Sequence, residues 1–580
     1  MAFTNFFNKI LQGRIVGEGR ELLVTARLIM IPKPQGGLRP IRIECAMMRL
    51  MSATEAALAR VVVSPLLRPR QLGAGLKCGV EIGARLLDAA YEIEDAIISV
   101  DIANAFNTTR HRYIWDALAE KLPGILRYFR MKHDMPAKMI GNDGAVIAWT
   151  RTGVGQGDPW AGLFFEVAVH PALLELSQAV KMVEAQLNRE KPREPVLHPG
   201  AVSAYEDDTQ IRGEPAVMFR VAPLVEGIFA NHGFTVNVSK SKITGRRIEG
   251  MYDLPEGFAV EAEGLIALGV PVEDNSFRRR VTERLIEAME PPLEALRLLR
   301  PRTAVQLLTN CINPQPAFLL RTAPDLGVTT RAASKFDAKM VTAIADVFQL
   351  EASADLADRM YLPLRMGGFG ITRHNGLASE KNQIHSRTIY TAFIATYFPS
   401  ELEATQQHFD LSVVRLGEIE GVADATEITA VMMDTLTVKN CNTVLAEGIR
   451  KVQKANFSRM HAEAVDLGFF SKAAWLLSSA TSTAAYLSSG VALEHDRYFP
   501  PGDFRCAGIN TLDCGPVNAH EGQKGTCGGC RREYTILQEP FHGMSCAGAK
   551  GFRNKRHNDI RDLLHRLPKK RYPQLNLDTL

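Results

Sequence analysis

The sequence has almost no surplus of charge of either sign. Lys and Arg number 68 and Asp and Glu 64, a formal net charge of +4 over 580 residues. A uniformly polycationic coat for nucleic acid is excluded, so any basic surface has to come from uneven distribution. Aromatic residues make up only 7% of the chain. There is no internal repeat and no low-complexity tract, which excludes solenoid and fibrous classes. No uninterrupted apolar run approaches the ~18 residues of a membrane span. The opening MAFTNFFNKILQGR lacks the apolar centre and cleavage site of a signal peptide. The expectation is a chain with neither membrane span nor secretion. Cysteine is sparse as well, and its odd total of 9 argues against a secreted disulfide framework.

What is present is ordinary globular material, 46% hydrophobic and 23% charged. At roughly 150 residues per domain, the length suggests about four domains. Residues 24–43, VTARLIMIPKPQGGLRPIRI, set two β-rich runs around a Pro/Gly turn, with Lys33 and Arg39 near the tip of the hairpin. MMRLMSATEAALARVVVSPLL then reads as a long helix. IISVDI is a buried strand ending in Asp101, and NTTRHRYIWDALAEKL after it has helical periodicity. In RTGVGQGDPW, a glycine loop, Asp158 and Pro159 fit the cap and first turn of the apolar helix WAGLFFEVAVHPALLEL. AVSAYEDDTQIR reads as a tight hairpin with Asp207 and Asp208 at its turn. From about residue 275 to 500 the pattern is mostly helical. The last 80 residues are rich in Gly, Cys and His, then basic.

Asp101 from one strand edge and the Asp207/Asp208 pair from another are what a two-metal phosphoryl-transfer site requires. Hard divalent cations take oxygen ligands, and two ions need acids converging from different parts of the chain. Either segment alone is more often a solvated cap.

Taken in order, the segments resemble a reverse transcriptase of the non-LTR retrotransposon kind. SVDIANAFN resembles the first palm motif, GVGQGDPWAGLFF the second, AYEDD the third, GFTVNVSKSK the fourth and LIALGVPV the fifth. IPKPQGGLRPI resembles the fingers motif, and LPLRMGGFGI with Ala378 a stretch found after the thumb. The likeness spans residues ~5 to 380 plus the terminal cysteine segment. Glu206 stands where the family usually has an apolar or small residue, and Trp160 where it has a smaller aliphatic one.

The resemblance implies that Asp101 and Asp207, with Asp208 beside them, hold two Mg²⁺ ions. One ion would lower the pKa of a primer 3′-hydroxyl and the other neutralise the leaving pyrophosphate. Phe106 would floor the sugar pocket and exclude a 2′-hydroxyl, the group that separates ribonucleotides from deoxynucleotides; its bland reading is core packing. Lys33 and Arg39 would reach the incoming triphosphate. Gln156, between Gly155 and Gly157, would contact nucleotide and template. Lys240 would steady or protonate the pyrophosphate, against the bland reading of a surface lysine.

At the C-terminus, Cys527-x₂-Cys530 followed by His542-x₃-Cys546 suits tetrahedral Zn²⁺, with His557 as a substitute ligand. Cys506, Cys514 and His520 could form a second site, although free thiols are the better reading there. From 550 to 580 nine Lys/Arg face three Asp/Glu, a tail that would complement phosphates. A CCHC knuckle followed by RHN resembles what certain site-specific non-LTR elements place after the polymerase. In those elements an endonuclease follows the knuckle and DNA-binding fingers precede the polymerase. Here 34 residues follow Cys546 and the fingers begin almost at Met1. The expectation is a truncated or domesticated element, or one using nicks made by an endonuclease in trans.

The expected fold is α+β, a right-hand polymerase. Fingers and palm would occupy 1–273, a helical thumb 274–350, a helical connector 351–500, and a zinc-knuckle with basic tail 501–580. The expected activity is RNA-directed DNA polymerisation with dNTPs on an RNA template from a DNA or RNA primer, by target-primed reverse transcription in the nucleus. Alternatives are a telomerase-like or intron-maturase-like polymerase, and a non-catalytic RNA-binding scaffold that keeps the fold.

Overall fold

The computed structural model describes residues 2–33, 37–248, 257–261, 264–272, 274–322, 326–363, 368–375, 393–399, 458, 524–526 and 533–535. The described chain is a mixed helix-and-strand fold. Its first unit is a four-stranded sheet in the order β2-β1-β4-β5. β1 (Ala26–Pro32) and β2 (Leu38–Glu44) form the antiparallel hairpin expected around Lys33 and Arg39, while β4 (Ala137–Ile140) lies parallel to β1 and pairs with β5 (Val146–Thr150).

A five-stranded sheet, β6-β7-β3-β8-β9, carries the acids. It comprises β3 (Ala96–Val100), β6 (Ala201–Tyr205), β7 (Asp208–Gly213), β8 (Lys242–Thr244) and β9 (Ala259–Val260). β3 reads AIISV with almost no alternation because it is the central strand and four of its five residues are buried. The helices Gly79–Glu92, Ala161–Glu190 and Pro215–Asn231 pack against this sheet. Ala161–Glu190 is apolar nearly all round, with Leu163, Phe164, Phe165, Val167 and Val169 fully buried, as a helix enclosed by protein should be. A small hairpin of β10 (Leu265–Ala267) and β11 (Val270–Val272) leads into the next unit.

Two sequence expectations bear on these helices. Ala46–Leu67 and Ala161–Glu190 are long and apolar enough to cross a membrane by length and composition alone, although neither is an uninterrupted apolar run. Ala161–Glu190 has 72% of its most apolar window buried in protein, so core packing accounts for it; Ala46–Leu67 has 39%. Second, the helix after the glycine loop starts at Ala161, with Trp160 as its cap residue. Asp158 instead closes the turn before it: Oδ1 accepts from the Trp160 amide at 3.1 Å and its carbonyl from the Ala161 amide at 3.0 Å.

From Asn275 to Met360 the described elements are helical, as expected. Asp274 Oδ1 accepts from the amides of Ser276 and Phe277, both at 2.9 Å, which caps Asn275–Glu287. Glu290–Ala295, Pro301–Leu307, Gln315–Thr322 and Leu326–Phe348 follow, around a separate core that includes Phe336, Met340 and Phe348. The segment resembling the post-thumb motif is tied to this core. Asp337 accepts from the amides of His374 (2.9 Å) and Asn375 (2.8 Å), and Gly368 has no room for a Cβ against the Leu362 carbonyl. Ala378 lies outside the described residues, as does most of the expected connector.

A buried ion network joins β2 to the helix Leu126–His133 and to the end of the glycine loop. Lys132 Nζ donates to Glu44 Oε2 at 2.9 Å and Asp158 Oδ2 at 2.6 Å, with all three side chains buried. Arg42 meets Glu44 at 3.2 Å and also donates to the Val24 carbonyl at 3.0 Å. Tyr128 accepts from Lys132 at 3.4 Å and shares a hydrogen bond with Ser52 at 2.9 Å. Burial pushes the Tyr128 hydroxyl up to about 12, keeping it a neutral hydrogen-bonding group. Burial alone would discharge Lys132, but Asp158 and Glu44 overcome it and raise its pKa.

Replacing Lys132 by Met would leave Asp158 buried without its cation and Glu44 with Arg42 alone, a loss of about 3–5 kcal/mol. Urea unfolding monitored by circular dichroism checks this. A loss under about 1 kcal/mol would show that Lys132 does not hold β2 to the glycine loop.

Candidate active site

The acids are placed by the register of the sheet. Asp101 is the residue after β3. Val100 pairs with Thr209 in β7, so continuation of the ladder sets Asp101 beside Asp208, the first residue of β7. The segment resembling the fourth motif braces Asp101 from the other side. Its carbonyl accepts from the Asn237 amide at 2.7 Å, and its amide donates to Ser241 Oγ at 3.1 Å. Lys240, next to Ser241, is exposed.

Tyr205 pairs with Asp208 across β6 and β7, leaving Glu206 and Asp207 as a two-residue turn. Such turns need positive φ, and Glu206 supplies it at +56°, a conformation that Gly, Asn or Asp adopts more readily. The strain is held by Gln71, whose Oε1 accepts from the Glu206 amide at 3.0 Å and whose Nε2 donates to its carbonyl at 3.2 Å. Sequence reasoning missed Gln71, because no spacing rule connects a loop residue to a turn 135 positions away.

The carboxylates repel one another. Burial pushes Asp208 up to about 6, with Asp207, Asp101 and Glu206 adding to the rise. Burial also raises Asp207, and Asp101 adds to it while Arg39 opposes it. Behind this turn lies a second carboxylate that the motifs did not flag. Glu166 is fully buried on the helix Ala161–Glu190, and neither side-chain oxygen has a hydrogen-bond partner among the described residues. Burial, then Glu206, pushes it up to about 8, against the influence of Arg60.

A cavity of about 550 Å³ opens in front of the acids. Its lining brings together Arg39 from β2, Phe106 from the turn after β3, Gln156 from the glycine loop and Asp207 from the acidic hairpin, with Arg60 and Glu206 beside them. The glycine loop is pressed against β2: the Arg42 amide donates to the Gln156 carbonyl at 2.7 Å, and a Cβ on Gly155 or Gly157 would run into Arg42. On its other side the Val154 amide donates to the Phe106 carbonyl at 2.7 Å, and Gly153 (φ +76°) leaves no space for a Cβ against Asn107. Phe106 is half-buried and stacked on Phe165, with ring centroids 5.1 Å apart. Trp160 is buried and stacked on Phe164, a packing residue rather than part of the cavity wall.

Other expected residues stand outside the cavity lining. Lys33 is exposed at the hairpin tip, and Lys240, Asp101 and Asp208 are not wall residues. Among the described residues no three His, Cys, Asp or Glu side chains gather tightly enough to hold a metal ion by themselves. The donor chemistry nonetheless fits a hard divalent cation, because the side chains are all carboxylates that a cation would relieve of mutual repulsion. Mg²⁺ commonly takes one or two carboxylates and completes its shell with water and substrate phosphates. Cys527, Cys530, His542, Cys546 and His557, with Cys506, Cys514 and His520, lie outside the described residues. Nearby, Lys524–Thr526 pairs antiparallel with Glu533–Thr535, and the sequence between them contains Cys527 and Cys530.

No family model and no curated protein matches the chain. Among solved structures it is similar to telomerases, which are reverse-transcriptase-related enzymes. Apo telomerase of Candida tropicalis, truncated from its C-terminal domain, is 10% identical with a TM-score of 0.28, covering 40% of this chain and 52% of that one. Telomerase of Candida albicans in complex with a TWJ fragment of telomeric RNA is 10% identical with a TM-score of 0.29, covering 66% of each chain. The corresponding Candida tropicalis complex is 12% identical with a TM-score of 0.33, covering 66% of this chain and 64% of that one. The chain spans about half to two thirds of the length of these telomerases. Likeness at this level carries no argument about activity, which rests on the residues.

The Glu166 pKa makes a testable statement about stability. Because its folded value lies above the ordinary 4.5, the folded protein holds a proton there that the unfolded chain releases. This contribution is absent below about pH 4.5, and its cost grows as pH rises towards about 8. Glu166→Gln is expected to flatten that slope and to stabilise the protein at pH 7 by on the order of 2 kcal/mol. Urea unfolding of both proteins at pH 5, 7 and 8.5 checks it; parallel pH profiles would show that Glu166 is not the proton holder.

Proposed function

We propose that the protein is an RNA-directed DNA polymerase, of the non-LTR retrotransposon type, that extends a primer 3′-hydroxyl with dNTPs. The observation that carries this reading is the cavity whose wall unites Arg39, Phe106, Gln156 and Asp207. These four residues come from four separate segments of the chain, and each was singled out by its motif.

Each side chain has work suited to its chemistry. Arg39 opposes the charge of Asp207 and offers a planar fork to the triphosphate. Phe106, fixed by Phe165, supports the sugar and leaves no polar partner for a 2′-hydroxyl. Gln156 offers an amide on a loop whose backbone is pinned on both sides, so it is placed before substrate arrives. Lys33 and Lys240 are exposed cations outside the cavity wall, and in this reading they would meet the phosphates of substrate and product. Asp101, Asp207 and Asp208 would hold Mg²⁺, which when bound supplies charge neutralisation on phosphate and a lowered pKa for the primer hydroxyl. Zn²⁺ on the C-terminal cysteines and an endonuclease in trans belong to the same reading.

Primer extension on poly(rA)/oligo(dT) with Mg²⁺ tests it. The expected outcome is synthesis with dTTP, reduced by at least about 10³-fold when Asp207 and Asp208 are both replaced by Ala. RNA binding without synthesis by the native protein would instead favour a non-catalytic scaffold. Phe106→Ala is expected to raise UTP use relative to dTTP by at least about tenfold, the ~1.4 kcal/mol of one lost steric clash. An unchanged ratio would return Phe106 to core packing.

A further inference from the structure

On the helices His111–Lys121 and Leu126–His133 lies a second pocket of about 440 Å³, and its lining shares no residue with the first. Trp115 and Phe129 line it, with ring centroids 6.4 Å apart, and Trp115 is 37% exposed. His111 and His133 line it as well, their rings 4.6 Å apart. Arg112, Arg130 and Asp134 complete the wall, and the two arginines are largely exposed.

Chemistry narrows the occupant. A carbonyl can only accept, so His111 donates from Nε2 to the Gly153 oxygen at 2.9 Å. Burial lowers the pKa of both imidazoles, so both are neutral near pH 7. His133 lines the pocket with its ring, while its Nε2 is buried with no hydrogen-bond partner among the described residues. A metal ion is disfavoured, because His111, His133 and Asp134 do not come together as a metal-holding group. An organic cation is disfavoured by the two guanidinium groups. Their ion pairs, Arg112–Asp116 at 3.7 Å and Arg130–Asp134 at 3.3 Å, are exposed and therefore weak, so a phosphate could displace either acid. A planar heterocycle with hydrogen-bonding edges and an attached phosphate fits these features.

We propose that this pocket binds an unpaired nucleotide of a nucleic-acid strand, with the base against Trp115 and the flanking phosphates at Arg112 and Arg130. The open rim, with an exposed guanidinium on each of the two helices, favours a continuing strand over a free nucleotide. The pocket also reports to the first cavity. His111 holds Gly153, whose amide donates to the Thr109 carbonyl at 2.9 Å, and the same loop carries Gln156. A strand seated here would stiffen that loop.

The test uses the full chain with Asp207→Ala and Asp208→Ala, so that it does not depend on polymerase activity. Binding of a fluorescent 15-nucleotide oligo(rA) is measured by anisotropy, with AMP as competitor. A matching oligonucleotide carrying 4-thiouridine is crosslinked and mapped by mass spectrometry. Trp115→Ala is expected to weaken binding by about 5- to 100-fold, the range of one base–aromatic stack. Trp115→Phe should stay within about threefold of the parent. Arg112→Ala with Arg130→Ala, two surface changes that leave the core untouched, should weaken binding and lower the salt dependence by about two phosphate contacts. The crosslink should fall within residues 113–121. Parent-like affinity in both the Trp115→Ala and the double-Arg proteins would overturn the proposal. So would competition by AMP at the same concentration as the strand, which would make this a free-nucleotide pocket. If the native chain fails to polymerise yet Trp115-dependent binding persists, the polymerase reading falls and this one stands.

Discussion

The placement of a buried cation, Lys132, governs the geometry of everything in front of it. It bridges Glu44 on β2 and Asp158 at the end of the glycine loop, two segments more than a hundred residues apart in sequence. Asp158 closes the turn that launches the central helix, and Glu44 anchors the strand that carries Arg39 and Arg42. One ammonium therefore sets how far the hairpin stands from the loop bearing Gln156. Such a network offers little net stability over an apolar core of equal volume, since desolvation offsets most of the attraction. What it supplies is alignment of β2 with the glycine loop, because sliding either one would leave a buried charge away from its partner.

The acidic hairpin poses the opposite problem. Burial raises the pKa values of Asp207, Asp208 and Glu206, the charge of Asp101 adds to the rise of the two aspartates, and the turn that presents them places Glu206 in a left-handed conformation. Gln71 absorbs the strain through both ends of its amide, and Arg39 offsets part of the charge. A site assembled against its own repulsion is poised for a cationic partner, since any bound divalent ion returns that electrostatic cost as binding energy.

Much of this was legible in one dimension. The strand leading to Asp101, the hairpin that carries Asp207 and Asp208, the glycine loop before a long apolar helix, and the switch to helices near residue 275 follow from local periodicity, turn chemistry and capping residues; that the turn is Glu206–Asp207, with Asp208 already in the strand, did not. Helix boundaries were less legible: Asp158 reads as a cap, but its carboxylate also serves Lys132, and the helix begins three residues later. Glu166 was hidden inside an apolar helix, where a single acid looks like an ordinary exposed position. The aromatic pocket around Trp115 was hidden because His111 and His133 lie on different helices.

By itself the sequence determined the chemistry available: which carboxylates, cations and aromatic rings exist, in what order, and on which kind of local element. Those are consequences of short-range propensity and of side-chain identity, and they carry the resemblance to reverse transcriptases. Only the tertiary structure decided which groups share a cavity, which stand outside it and what each one's pKa becomes. Pairing of β3 with β7, the bracing of a turn by Gln71, and the spacing set by Lys132 are long-range contacts. Their energies depend on burial and distance in three dimensions, which no pattern along the chain encodes.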